Sequence, residues 1–107
     1  MKTTDTIIAT SNLTMGIHRD NFRLWIEGTK LFKSGFKTND FYTLETLTDR
    51  IEITKDTNGS HKISGGDRSN GKPRPVIDRH DQLWSLMFPN GKITVIFEQN
   101  KITVRPS

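Results

Sequence analysis

The chain has 107 residues, 32% of them hydrophobic, a formal net charge of +4 and no cysteine. That length fits one ordinary domain, and the apolar share is well below the roughly 45–50% of average domains (a count that includes glycine). Without cysteine, disulfide frameworks, cysteine-based zinc sites and thiol nucleophiles are excluded.

The first 20 residues are polar and rich in Thr and Asn, with one apolar patch at Ile7-Ile8-Ala9. They read as an N-terminal arm, with a short strand at that patch an equal alternative. From Phe22 the texture changes. Phe22, Leu24 and Ile26 alternate with Arg23, Trp25 and Glu27, which predicts a strand over 22–27 with Trp25 on its outer face. Gly28 ends that strand, Thr29 is placed to cap a short helix over 30–34, and Gly35 stops it. Two strands follow over 41–47 and 50–54, turning at Thr48-Asp49. Residues 55–75 gather Asn, Asp, Ser, Pro and Gly around a short His61-Lys62-Ile63-Ser64 segment, and read as a linker or exposed loop. A strand over 76–78, a helix over 82–87, a turn at Pro89-Asn90-Gly91 and a hairpin over 93–97 and 102–104 complete the chain.

Strand, short helix and hairpin thus occur twice in the same order. Ile26-Glu27 matches Ile77-Asp78, and Ile51 and Ile53 match Ile102 and Val104, at an offset of fifty-one. Leu31 matches Leu83, Phe36 Phe88, Asn39 Gly91, Phe41 Ile93 and Thr43 Val95, at fifty-two. The expected organisation is an arm over 1–20 and one domain over 21–107. Within that domain the copies lie at 21–54 and 76–107, joined by a basic, Gly-rich linker over 55–75. A unit of such length is too short to bury a core alone, whereas two can share one about a pseudo-twofold axis. The low apolar fraction is then sufficient.

The charge is localised. Residues 1–54 carry seven Lys/Arg and seven Asp/Glu, whereas 55–107 carry nine against five. A basic excess in a loop points to a polyanionic partner and against a mimic of DNA. Lys62, Arg68, Lys72 and Arg74 interleave there with small residues, a composition able to follow a phosphate backbone.

The run from Arg23 to Asp40, with Ile26-Glu27-Gly28, Leu31-Phe32 and Gly35-Phe36, resembles the SymE-type branch of the AbrB/MazE swapped-hairpin superfamily. The second copy is less similar, since Arg79-His80 stands in place of the glycine and Met87-Phe88 in place of Gly-Phe. The resemblance implies a mainly β fold with short helices, built as two swapped-hairpin, AbrB-like repeats in an intramolecular pseudo-dimer. It also implies DNA contacts from basic residues on the first strands, which by position are Arg23, Arg74 and Arg79. Lys72 and Arg68 extend that surface. The charge at Arg79 makes such a pseudo-dimer electrostatically lopsided.

Catalytic candidates are few. Asp78, His80 and Asp81 form a cluster with general-base or metal-ligand chemistry, but neighbours on a strand point to opposite faces and do not converge without a turn. Asp81 is better placed to cap the helix that follows it. His18 and His61 lack partners at ligand spacing, and Gly65, Gly66 and Gly71 lack the strand-to-helix setting of a phosphate-binding loop. Trp25 and Trp84 are expected to pack into the core, and exposure of either would mark a partner surface.

The expected function is non-enzymatic DNA binding, as a regulator or accessory factor that contacts the phosphate backbone through the basic loop and the second copy, with no cofactor and no metal. The partner is duplex DNA, with a protein partner and a homodimer left open. Two alternatives remain: a protein-binding inhibitor encoded by a mobile element, and a SymE-like toxin acting on RNA. No segment approaches the roughly 18 apolar residues of a membrane span, and the first residues lack a signal-peptide run, so the expected location is cytoplasmic.

Overall fold

Period-two alternation sets most of this chain into antiparallel strands, as recorded in a computed structural model that describes residues 7–19, 21–67 and 73–107. The elements are β1 (Ile7–Thr14), β2 (Gly16–His18), β3 (Asn21–Glu27), α1 (Thr29–Lys33), β4 (Phe41–Thr46) and β5 (Ile51–Lys55). They continue as β6 (His61–Lys62), β7 (Ser64–Asp67), β8 (Pro73–Asp81), α2 (Trp84–Met87), β9 (Lys92–Glu98) and β10 (Lys101–Pro106). The fold is mainly β with two short helices, as the sequence pattern predicts. No helix among the described residues is long and apolar enough to cross a membrane.

One sheet runs β1-β9-β10-β5-β4-β6 and the other β2-β3-β8-β7. Every pairing is antiparallel. At the centre of the smaller sheet Ile26 faces Ile77, and at the centre of the larger one Glu52 faces Thr103. Each of these pairs joins residues fifty-one apart.

The segments expected as arm and linker depart most from the sequence reading. Residues 7–18 supply β1 and β2, and 61–67 supply β6 and β7, which are the outermost strands of both sheets. Edge strands bury little, so they lack the apolar alternation that marks an inner strand. In β1 only Ala9 packs against the core. Between β1 and β2 the buried Met15 donates its N–H to the Gly91 carbonyl at 2.7 Å. Between β6 and β7 the buried Ile63 donates to the Asp40 carbonyl at 2.8 Å. Both edge segments are therefore tied down by a buried side chain and a backbone bond to a loop of the other half.

One core lies between the sheets. Leu24, Ile26 and Ile77 face it from the smaller sheet, while Ile51, Ile53, Ile93, Val95, Ile102 and Val104 face it from the larger. Leu31 and Phe36 enter from the α1 region, Trp84 and Phe88 from the α2 region. Three of the expected matches shift here. Trp84, not Leu83, takes the buried place of Leu31, and Leu83 is 52% exposed. Likewise Tyr42, not Phe41, is buried as Ile93 is, and Leu44, not the exposed Thr43, packs against the core as Val95 does. The pairing of Asn39 with Gly91 does stand, since both sit at positive φ, 77° and 69°. Asn is among the few residues that tolerate that conformation.

The helix ends also differ in one respect. Thr29 opens α1 and does not cap it; Gly28 precedes it at φ 90°. Gly35, the expected stop, does sit at φ 95°. Ahead of α2, Asp81 Oδ1 accepts the Leu83 N–H at 2.8 Å, which fixes the turn into that helix.

Substituting Ile53→Ala should lower the unfolding free energy by about 2–5 kcal/mol, because the site is fully enclosed on β5. Urea denaturation measures it. Gly59→Ala should also destabilise, since its methyl would meet the Tyr42 backbone, and a shift confined to exposed residues would contradict this packing.

Candidate nucleic-acid interface

The β3–β8 register decides which predicted residues share a face. Arg23 lies opposite His80 and Trp25 opposite Asp78, while Leu24 and Ile26 turn into the core. Arg23, Trp25 and Glu27 therefore share the outer face of the smaller sheet with Asp78 and His80. Arg74, two positions before Val76 on the same strand, joins them.

Two ion pairs cross this face. Arg23 is bidentate on Asp78, with Nε at 2.7 Å from Oδ1 and Nη2 at 2.8 Å from Oδ2. Arg74 donates to Glu27 Oε1 from Nε at 2.7 Å and Nη2 at 2.6 Å. Arg23 also lies over the Trp25 ring, 4.8 Å from its centroid. The hydrogen bond to Asp78 raises the Arg23 pKa above its ordinary value, so its charge is constant. The carboxylates balance the arginines, and the face carries ordered guanidinium forks with little net charge. Sequence reasoning located the arginines and missed their partners. The signal was present: Arg-x-x-Ile-Glu at 23–27 recurs as Arg-x-x-Ile-Asp at 74–78.

The remaining predicted contacts do not join this group. Arg79 pairs with Leu24 in the register, so it turns to the inner side of the sheet and is half-buried. Its positive charge reaches Tyr42 and His61. Lys62 is exposed on β6, 6.0 Å from the Phe41 ring centroid. Arg68 and Lys72 lie outside the described residues. Trp84 is buried as expected, its Nε1 donating to Thr46 Oγ1 at 3.3 Å, whereas Trp25 is 40% exposed.

The catalytic candidates separate. Asp78 engages Arg23 and Asp81 engages the turn before α2. Among the described residues no three His, Asp or Glu side chains are grouped so as to hold a metal ion. Gly65 sits at φ 96° against the Arg74 carbonyl, a close strand contact in place of loop duty.

The Tyr42 and His61 rings meet at a tilt of 35°, with centroids 5.4 Å apart. Burial raises the Tyr42 pKa above its ordinary value. Burial, then the charge of Arg79, lowers that of His61 below the usual 6.5. A histidine with a depressed folded pKa binds fewer protons folded than unfolded, so its contribution to stability is complete above pH 6.5 and is lost as pH falls below it. NMR titration should find His61 below 6.5, and Arg79→Gln should return only the smaller part of the shift, because burial is the larger cause.

No protein-family model matches this chain, and the searches of curated proteins and of solved structures returned no match.

Proposed function

We propose that the chain binds duplex DNA without catalysing a reaction, as a regulator or accessory factor, through the outer face of the β2-β3-β8-β7 sheet. The observation that carries this reading is the pair of ion pairs. Arg23 and Arg74 are fifty-one residues apart, as are their partners Glu27 and Asp78, and each arginine is held by the acid of the other half. The two guanidinium forks are thus related about the Ile26–Ile77 pair.

The same reading takes the fold as a duplication. Exchanging β1–β5 for β6–β10 reverses the order of each sheet onto itself. That symmetry supports the swapped-hairpin pseudo-dimer expected from the sequence, with the edge strands included in each copy. A protein with an internal twofold matches the dyad of a DNA duplex, as paired half-sites do for true dimers. Guanidinium groups also donate to phosphate, here in competition with Asp78 and Glu27 for the same donors, and the net charge of +4 favours encounter. Arg79, being half-buried and turned inward, has no part in the contact.

A second reading, a protein-binding module, draws on Ile17, Leu83 and Leu86, which are 71%, 52% and 79% exposed. Fluorescence anisotropy with duplex DNA over a range of salt separates the two. Under the DNA reading, Arg23→Ala with Arg74→Ala weakens binding and reduces the salt slope by about 1.8, or roughly 0.9 for each lost phosphate contact. Glu27→Gln with Asp78→Asn tightens it, since two competing negative charges are removed. Binding that ignores both double variants would exclude this face.

A further inference from the structure

The two halves part company at one sheet edge. With Tyr42 and Leu44 in the places of Ile93 and Val95, β4 answers to β9 at an offset of fifty-one. β1 pairs with the outer side of β9 from Lys92 to Glu98. On the corresponding side of β4, β6 pairs with Phe41 and Tyr42, and no described residue pairs with Thr43–Thr46. We propose that this open edge receives an extended segment of a partner protein as an antiparallel strand, apolar on its core-facing side and basic on its outer side. The inference rests on the duplication described above and is separate from the DNA contact.

The backbone is set for a further strand. Phe41 accepts the Asp56 N–H at 3.0 Å and Leu47 donates to the Arg50 carbonyl at 2.8 Å, both on the β5 side. Alternation then turns the N–H and C=O of Leu44 and Thr46 to the open edge. Their counterparts Val95 and Phe97 lie opposite Ser11 and Ala9 of β1. Burial follows the same division, since Val95 is fully enclosed and Leu44 is half-buried. An unpaired edge is a template for strand addition, in which main-chain hydrogen bonds supply affinity and alternate side chains supply specificity.

The surroundings specify the occupant. In the first half Lys30 of α1 reaches β1, donating to the Thr10 carbonyl at 3.1 Å and to Ser11 Oγ at 2.6 Å. Trp84 stands in the place of Leu31, which puts Leu83 in that of Lys30, and Leu83 is 52% exposed. The bond from Trp84 Nε1 to Thr46 Oγ1 holds α2 beside the open edge. A strand added along β4 therefore meets an apolar side chain where β1 meets an ammonium. On the outer face the exposed Glu45 lies opposite Glu52 of β5. Arg50 and Lys101 engage Glu52, at 2.9 Å and 3.8 Å, and among the described residues no cation pairs with Glu45. β1 sets Thr10 opposite Ile96, the counterpart of Glu45. A basic residue at that position of the added strand pairs with Glu45. A second copy of this chain offers its own Glu45 at the same edge, a like charge.

Labelled eight-residue peptides with the sequence of β1 test this by fluorescence anisotropy, one carrying Thr10→Lys and one Thr10→Glu. The wild-type protein should prefer the Lys peptide by about fivefold, the upper end for a cross-strand charge pair, and Glu45→Lys should reverse the preference. Leu83→Ser should weaken binding of both peptides. Glu45 and Leu83 are exposed, so these variants leave the core intact. Amide hydrogen exchange at Leu44 and Thr46 should slow when the Lys peptide binds. Absence of binding, a preference that survives Glu45→Lys, or protection confined to other amides overturns the proposal. So does a dimer of the protein alone that Leu83→Ser dissolves, which gives the edge to a second copy. Arg23→Ala with Arg74→Ala should leave peptide binding unchanged, so the duplex reading stands or falls apart from this one.

Discussion

Everything in this molecule depends on two antiparallel pairings between its halves, β3 with β8 and β5 with β10. Each lies at the middle of its sheet, so neither half can satisfy its inner strands alone. Residues 7–55 without the rest would leave one side of β3 and one side of β5 unpaired, next to Ile26, Ile51 and Ile53, which are almost wholly enclosed in the whole protein. Burying unpaired backbone groups is costly, and exposing those side chains forfeits the hydrophobic gain. The two halves are therefore one cooperative unit, and a chain with few apolar residues concentrates them on the shared interior.

The parts legible in the sequence are those where burial imposes a period. β3, β5, β9 and β10 carry inward apolar residues at alternate positions, and their places are readable from that pattern alone. β1, β2, β6 and β7 are edge strands with one or no core-facing residue, and β7 is Ser-Gly-Gly-Asp, which reads as loop. They are strands because a neighbour supplies a ladder, a cause outside their own composition. The helix match failed for a related reason. Leu31 and Leu83 look equivalent by residue type, but the turn that Asp81 fixes puts Trp84 inward.

The candidate interface was half legible. Basic residues announce themselves by charge, so Arg23 and Arg74 stand out, yet a charge count does not say who sits opposite. Glu27 and Asp78 become their partners only through the β3–β8 register. Arg79 illustrates the converse. It sits one residue from Asp78 and has the same sequence appeal as Arg74, but alternation along β8 turns it inward, where its charge acts on His61 and Tyr42. Sign and position along the chain locate a basic segment; parity along the strand decides which members a ligand meets.

The two halves share an order of elements and differ in side chains where it matters for recognition. Under the proposed duplication, Arg23 and Arg74 are equivalent, and so are Glu27 and Asp78, while Trp25 answers to Val76. Val76 is 6% exposed and Trp25 40%. The ion pairs are then common to both halves, but a partly exposed indole stands in only one. A duplex bound across the twofold would meet matching guanidinium groups and a single exposed indole. Symmetric contacts to phosphate position a ligand and carry no sequence information. Directionality has to come from whatever breaks the symmetry, and on this face the largest such difference is Trp25.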